Sequence, residues 1–146
     1  MNDILVPISP GELLDKITIL RIKSARITDP GKAANVRLEL NLLEKVWQDS
    51  GCAAAAASIP GEERALHDVN ERLWDTEDRI RDKEAHQSFD RDFIELARAV
   101  YVFNDERAAI KKRVNLALGS RIIEEKSYKA YRAAGYSQQG QPTPKT

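Results

Sequence analysis

Residues Asp90 to Leu118 read DRDFIELARAVYVFNDERAAIKKRVNLAL. Phe93, Leu96, Val100, Phe103, Ile110, Val114 and Leu118 fall on one face at helical spacing, and Gly119 follows as a stop. The stretch predicts an unbroken α-helix of about 29 residues, about 43 Å long at about 1.5 Å per residue. A globule of 146 residues has a radius of gyration of only about 15 Å. Such a helix must therefore pair with another along most of its length. Two polar residues, Asn104 and Arg107, fall inside the apolar face.

The pairing partner lies just upstream. Between Gly61 and Ala85, Leu66, Val69, Leu73 and Ile80 form a second apolar stripe, edged by Asn70, Glu77 and Glu84. A short turn near Gln87-Ser88-Phe89 joins the two helices, so they should form an elongated antiparallel hairpin. The hairpin exposes apolar surface unless other helices, or a second copy of the chain, cover it.

Two N-terminal helices are available as the cover. Ser9-Pro10-Gly11-Glu12 is a strong helix start: Ser9 suits the cap, Pro10 the first helical position, and Glu12 the carboxylate of a capping box. This helix should run to about Thr28. Leu13, Ile17, Leu20, Ser24 and Ile27 line one face, with Glu12, Asp15, Lys16, Ile19, Lys23 and Arg26 beside it. Asp29-Pro30 ends it and opens a second helix, in which Ala33, Val36, Leu40, Leu43 and Trp47 repeat until Gly51. The alanine-rich run from Cys52 to Ile59 reads as a joint, closed by Pro60-Gly61. Ile4 to Ile8 reads as a short extended segment in which Pro7 removes one backbone donor. Ile122 to Tyr131 suggests a further short helix. The fold class is all-α, with a single helical domain over residues 1–133 and a disordered tail over 134–146, where Gly, Gln, Ser and Pro dominate.

Composition narrows the function classes. Lys plus Arg equals Asp plus Glu, which argues against nucleic acid as a partner, since non-specific binding needs a basic surface. Cys52 is the only cysteine, so neither an internal disulfide nor a thiolate metal site can be built. No apolar run approaches the ~20 residues of a membrane span, and Met1-Asn2-Asp3 opens no basic signal region. A cytoplasmic location is expected. His67 and His86 read as surface histidines. There is no glycine-rich phosphate loop, nucleophile elbow or zinc-ligand spacing.

The chemistry must then come from the polar residues within the stripes. A buried amide or charge is costly unless paired. The candidate seam between helices comprises Glu12, Asp15, Lys16, Asn70, Trp74, Glu77, Arg81, Asn104 and Arg107. Either these groups satisfy one another and set helix register, or they line a site in which guanidinium and ammonium groups hold a phosphate or carboxylate. Arg98 belongs to the same cationic set. No cofactor or metal is expected; the alternative is Mg²⁺ on the acidic face Glu71, Asp75 and Asp78, spaced four and three apart. Acidic helices of this type occur in all-helical nucleotide pyrophosphatases, but their doubled-acid motif is not matched here. Trp47 and Trp74 read as core or interface anchors.

The pattern over Ile4 to Tyr131 resembles a family of small bacterial helical proteins known only as a domain of unknown function. The resemblance rests on Val6–Leu20, Asn70–Asp78, Phe93–Arg98, Asn104–Ala108 and Glu124–Tyr128. It implies a bacterial, cytosolic, helical protein and transfers no catalytic residue. Glu12–Ile17 is also similar to the opening helix of chorismate mutases, over one or two turns only. Three readings follow. The first is an interaction or small-ligand-binding module that uses the seam. The second is an all-α enzyme acting on a phosphate- or carboxylate-bearing molecule, through Mg²⁺ or through Arg and Lys. The third is a structural scaffold. A homodimer is the favoured assembly, and a protein partner is a further expectation.

Overall fold

A computed structural model describes residues 3–131. Five helices follow in order: α1 Pro10–Arg26, α2 Pro30–Asp49, α3 Cys52–Ala56, α4 Pro60–Ala85 and α5 Arg91–Ala117. The fold is all-α, with no strand among the described residues. The disordered tail expected over 134–146 lies outside them.

Each long helix starts where its chemistry allows. The Ser9 hydroxyl accepts the Glu12 N–H at 3.2 Å, and Pro10 follows in the first turn. Asp29 caps α2 through the Lys32 N–H at 2.8 Å, and Asp90 caps α5 through the Phe93 N–H at 3.0 Å. Only half of the expected capping box forms at α1, because Glu12 turns its carboxylate to Lys111 on α5. The alanine run is not a plain joint. Cys52–Ala56 makes a short helix after Gly51, whose φ of 78° sets it off from α2, as alanine's helix propensity favours. The expected helix at Ile122–Tyr131 is absent: residues 121–131 carry no regular structure.

α4 and α5 form the antiparallel hairpin. Glu62 meets Arg113, Arg72 meets Glu106, and Lys83 meets Asp90 at the turn. α1 lies in the groove of this hairpin, and α2 lies on α1. α1 is thus the central rod, and its Leu13, Leu14, Ile17, Leu20 and Ile22 are all buried. The core joins Leu14 and Ile17 to Leu66, Val69, Ile110 and Val114, with Trp47 of α2 at its edge. α2 buries only Val36 and Trp47. Its Leu38, Leu42 and Val46, one turn apart, stay exposed, as do Ile4, Leu5 and Val6 ahead of α1.

α1 and α5 approach closely where Gly11 faces α5. A Cβ built on Gly11 would lie 2.5 Å from the Lys111 carbonyl oxygen and 2.8 Å from Asn115 Oδ1. The Gly11 N–H, one of the unpaired donors at a helix start, donates to Asn115 Oδ1 at 2.7 Å. This contact sets the height of α1 against α5, and with it the position of every polar residue on the first two turns of α1.

Candidate functional site

Asp15 sits one turn above that contact and is only 1% exposed. Arg107 Nε donates to its Oδ1 at 2.9 Å, and Arg107 Nη2 donates to Oδ2. Asn70 of α4 donates to the same Oδ1 at 2.9 Å and to Thr18 Oγ1 at 3.1 Å. Thr18 in turn donates to the Asp15 carbonyl at 2.8 Å. Three helices therefore meet at one carboxylate. The Asp15 carboxylate holds the Arg107 guanidinium above its usual pKa against the opposing effect of burial. Among the described residues, no buried side-chain nitrogen or oxygen lacks a hydrogen-bond partner. Asp15 is thus a saturated anchor, a poor arrangement for proton transfer.

One turn along α5, Lys111 carries a second cluster. Its Nζ lies 2.5 Å from Glu12 Oε2 and 3.0 Å from Glu124 Oε2, and Lys126 also clasps Glu124. Burial pulls the Lys111 ammonium down, but the hydrogen bonds it donates to Glu12 and Glu124 outweigh this and leave its pKa raised. Lys126 and then Lys111 hold the Glu124 carboxyl below the ordinary value. Beyond Glu124 the chain runs back along α5 as a strap. Lys112 binds Glu125 at 2.9 Å, and the Tyr131 hydroxyl donates to Asp105 at 2.6 Å with its ring edge-on to Tyr101 at 5.1 Å.

Between these two attachments, strap and helix enclose an open cleft of about 950 Å³. Arg98, Arg107, Lys111, Lys126 and Lys129 contribute cations to its lining, Tyr101, Tyr128 and Tyr131 contribute phenol rings, and Asp105 is its one acid. Asn104 lines it too, while its amide donates to the Val100 carbonyl at 2.9 Å. Most of these cations already have carboxylate neighbours: Arg107 has Asp15, Lys111 has Glu12 and Glu124, and Arg98 has Glu95.

The sequence-derived seam divides on this geometry. Asp15, Asn70 and Arg107 meet at the α1–α4–α5 junction and Glu12 meets Lys111 beside it, while Asn104 is exposed on the cleft wall, its Oδ1 3.5 Å from Arg107 Nη1. Lys16 is exposed and takes no part in the network. Trp74 lies under the Arg26 guanidinium, 5.8 Å from the ring centre. Glu77 and Arg81 pair with each other along α4 at 3.4 Å, with Arg81 76% exposed. Of the acidic face considered for Mg²⁺, Glu71 and Asp75 are engaged by Arg26, and Asp78 is exposed. His67 and Asp68 stand beside Glu71, with donor atoms within 4.8 Å of one another, on exposed or half-buried side chains. Participants not foreseen as site residues are Gly11, Thr18, Lys111 and Asn115 on the helices and Glu124, Lys126, Tyr128, Lys129 and Tyr131 on the strap. A signal for three of them exists. Thr18 is three residues from Asp15, and Asn104, Arg107, Lys111 and Asn115 continue one polar line along α5 at spacings of three and four.

Comparison with known sequences places the chain. Residues 4–140 match a family described as a family of unknown function, DUF6165. The chain belongs to that family. No curated protein and no solved structure matches it. The family match spans the whole bundle and the strap, so the junction and the cleft both lie inside the matched region. Among the described residues, no helix is long and apolar enough to cross a membrane.

Proposed function

We propose that this protein is a small-ligand-binding module, and that its ligand is a molecule bearing a phosphate or carboxylate group, held between α5 and the strap. One observation carries the reading: a cleft of about 950 Å³ whose lining, among the described residues, holds five cations, three tyrosines and one acid, with Glu124 and Glu125 lining the adjoining hollow. A volume of that size is in the range of small-molecule sites. Ammonium and guanidinium groups bind oxyanions through charge-assisted hydrogen bonds, and tyrosine rings offer flat apolar contact with a polar edge.

The Asp15–Asn70–Arg107 junction supports the reading in a structural capacity. Its hydrogen bonds are closed on themselves, so it fixes the wall of the cleft and leaves recognition to Lys111, Lys126, Lys129 and the tyrosines. The test is thermal unfolding of the full chain with inorganic phosphate, sugar phosphates, dicarboxylates and Mg²⁺. A ligand present at 100 times its dissociation constant adds about 2.7 kcal/mol of stability. Phosphates or dicarboxylates should raise the melting temperature, and Lys129→Glu should abolish the rise. A melting temperature unmoved by every anion refutes the reading, and a rise with Mg²⁺ alone transfers it to the acidic face of α4.

A second reading concerns assembly. Leu38, Leu42 and Val46 form an exposed apolar line on α2, which supports a homodimer formed through that helix. Sedimentation should give twice the chain mass, and Leu42→Glu should return it to one. A wild-type chain that sediments as a monomer at high concentration excludes this reading.

A further inference from the structure

We infer that Glu124 is an internal occupant of the oxyanion site at Lys111 and Lys126, and that the phosphate or carboxylate group of the ligand binds by displacing it. The inference rests on the cleft reading above and adds how the site is filled and opened.

Lys111 is held by two carboxylates of unlike standing. Glu12 belongs to the first turn of α1, whose backbone is pinned to α5 through Gly11 and Asn115. Glu124 belongs to a segment without regular structure, and its side chain is 42% exposed. Both contacts are charge-assisted, and the Lys111 side chain itself is only 11% exposed. An ammonium so enclosed needs an anion beside it, and of its two anions Glu124 is the more exposed, 42% against 33% for Glu12, and the one carried by a segment without regular structure.

The exchange is balanced. With Glu124 in place, two cations, Lys111 and Lys126, face two carboxylates, Glu12 and Glu124. Without it, they face one, and Lys129 and the Arg107 guanidinium stand on the same cleft wall. An incoming oxyanion restores the count and replaces N–H···O contacts with contacts of the same kind, so no buried charge is left unpaired. The outgoing carboxylate returns to water, where it is well solvated.

Exchange leaves the strap tied to α5: the incoming anion bridges Lys111 to Lys126, Glu125 stays on Lys112, and Tyr131 stays on Asp105 and Tyr101.

The test uses the full chain, with inorganic phosphate and succinate as probes, so that phosphate and carboxylate recognition are separated. Calorimetric titration is run on wild type, on Glu124→Gln and on Glu125→Gln as the control. Glu125→Gln removes an equal charge from the same strap, but Glu125 pairs with Lys112 and not with Lys111 or Lys126. Glu124→Gln should bind the favoured probe about tenfold more tightly, the scale of one charge-assisted contact removed from competition, while Glu125→Gln stays within about twofold of wild type, as expected for an exposed pair. Equal affinity in wild type and Glu124→Gln overturns the displacement while leaving the cleft reading intact. Equal tightening by both substitutions overturns it as well, because the effect is then one of net charge. If neither probe binds wild type or Glu124→Gln, the cleft reading itself fails and the displacement with it.

Discussion

Arg107 of α5 clasps Asp15 of α1 with two nitrogens across 92 positions of sequence, and Asn70 of α4 completes the joint on the same carboxylate oxygen. Most of the architecture passes through this junction, because α1 is the rod that touches α2, α4 and α5 alike. Replacing Arg107 by leucine leaves Asp15, 1% exposed, without its counter-charge. Stability should fall by about 3–5 kcal/mol, toward the lower end because the Arg107 side chain is 28% exposed. Urea unfolding measures it. Asp15→Leu combined with Arg107→Leu should recover much of the loss, since an apolar pair can replace a buried ion pair. An unchanged midpoint for the single substitution removes the junction from the account of stability.

The close passage of α1 over α5 predicts a contrast between two glycines. Gly11→Ala places a methyl group 2.5 Å from the Lys111 carbonyl oxygen and should cost about 1–3 kcal/mol, as overpacking does. Gly61→Ala, in the first turn of α4, meets no atom within 4 Å and should add about 0.4–1 kcal/mol by restricting the unfolded chain. Thermal melts of both variants decide the matter. Equal shifts in the same direction contradict the packing described.

The hairpin turn should be acid-sensitive. The Lys83 ammonium, then the Phe93 N–H, hold the Asp90 carboxyl down at about 2, below its ordinary 3.8. A depressed carboxylate stabilises the fold above its unfolded pKa, and that contribution is lost as pH falls through the folded value. The loss should therefore develop below about pH 4 and be complete below about pH 2. Carboxyl-carbon NMR should record the Asp90 midpoint near the lower figure, and Asp90→Asn should flatten this part of the acid limb. A midpoint close to 4 would count against the Lys83–Asp90 contact.

The strap should respond to alkali at its far end. Burial, and then the hydrogen bond to Asp105, push the Tyr131 phenol up to about 12. A raised folded pKa means that the contribution is full below the unfolded value of about 10 and fades as pH rises through about 12. Ultraviolet titration should place the Tyr131 ionisation near 12, and Asp105→Asn should lower it. A Tyr131 midpoint that Asp105→Asn leaves unmoved shows that the two are not bound in solution.

Helix identity and partner choice come from different levels. Phe93, Leu96, Phe103, Ile110 and Val114 announce α5 from their spacing, and Leu66, Val69 and Leu73 announce α4, because a helical period is a property of adjacent turns. Ser9, Asp29 and Asp90 cap for the same reason: each meets an N–H only three residues away. Asn104 and Arg107 inside an apolar stripe were equally visible as groups in need of partners. Periodicity orients a side chain about its own helix axis and is silent about the height and roll of the neighbouring helix. Lys16 next to Asp15, and Arg81 one turn after Glu77, thus looked like seam residues and face solvent instead. Lys111 and Asn115, absent from the seam candidates, are buried. The Gly11 contact sets the height that brings Asp15 to Arg107, and only the return of the strap along α5 creates the cleft. Local spacing decided what the helices are. Long-range packing decided which charges meet, because pairing depends on distances between segments far apart in the chain.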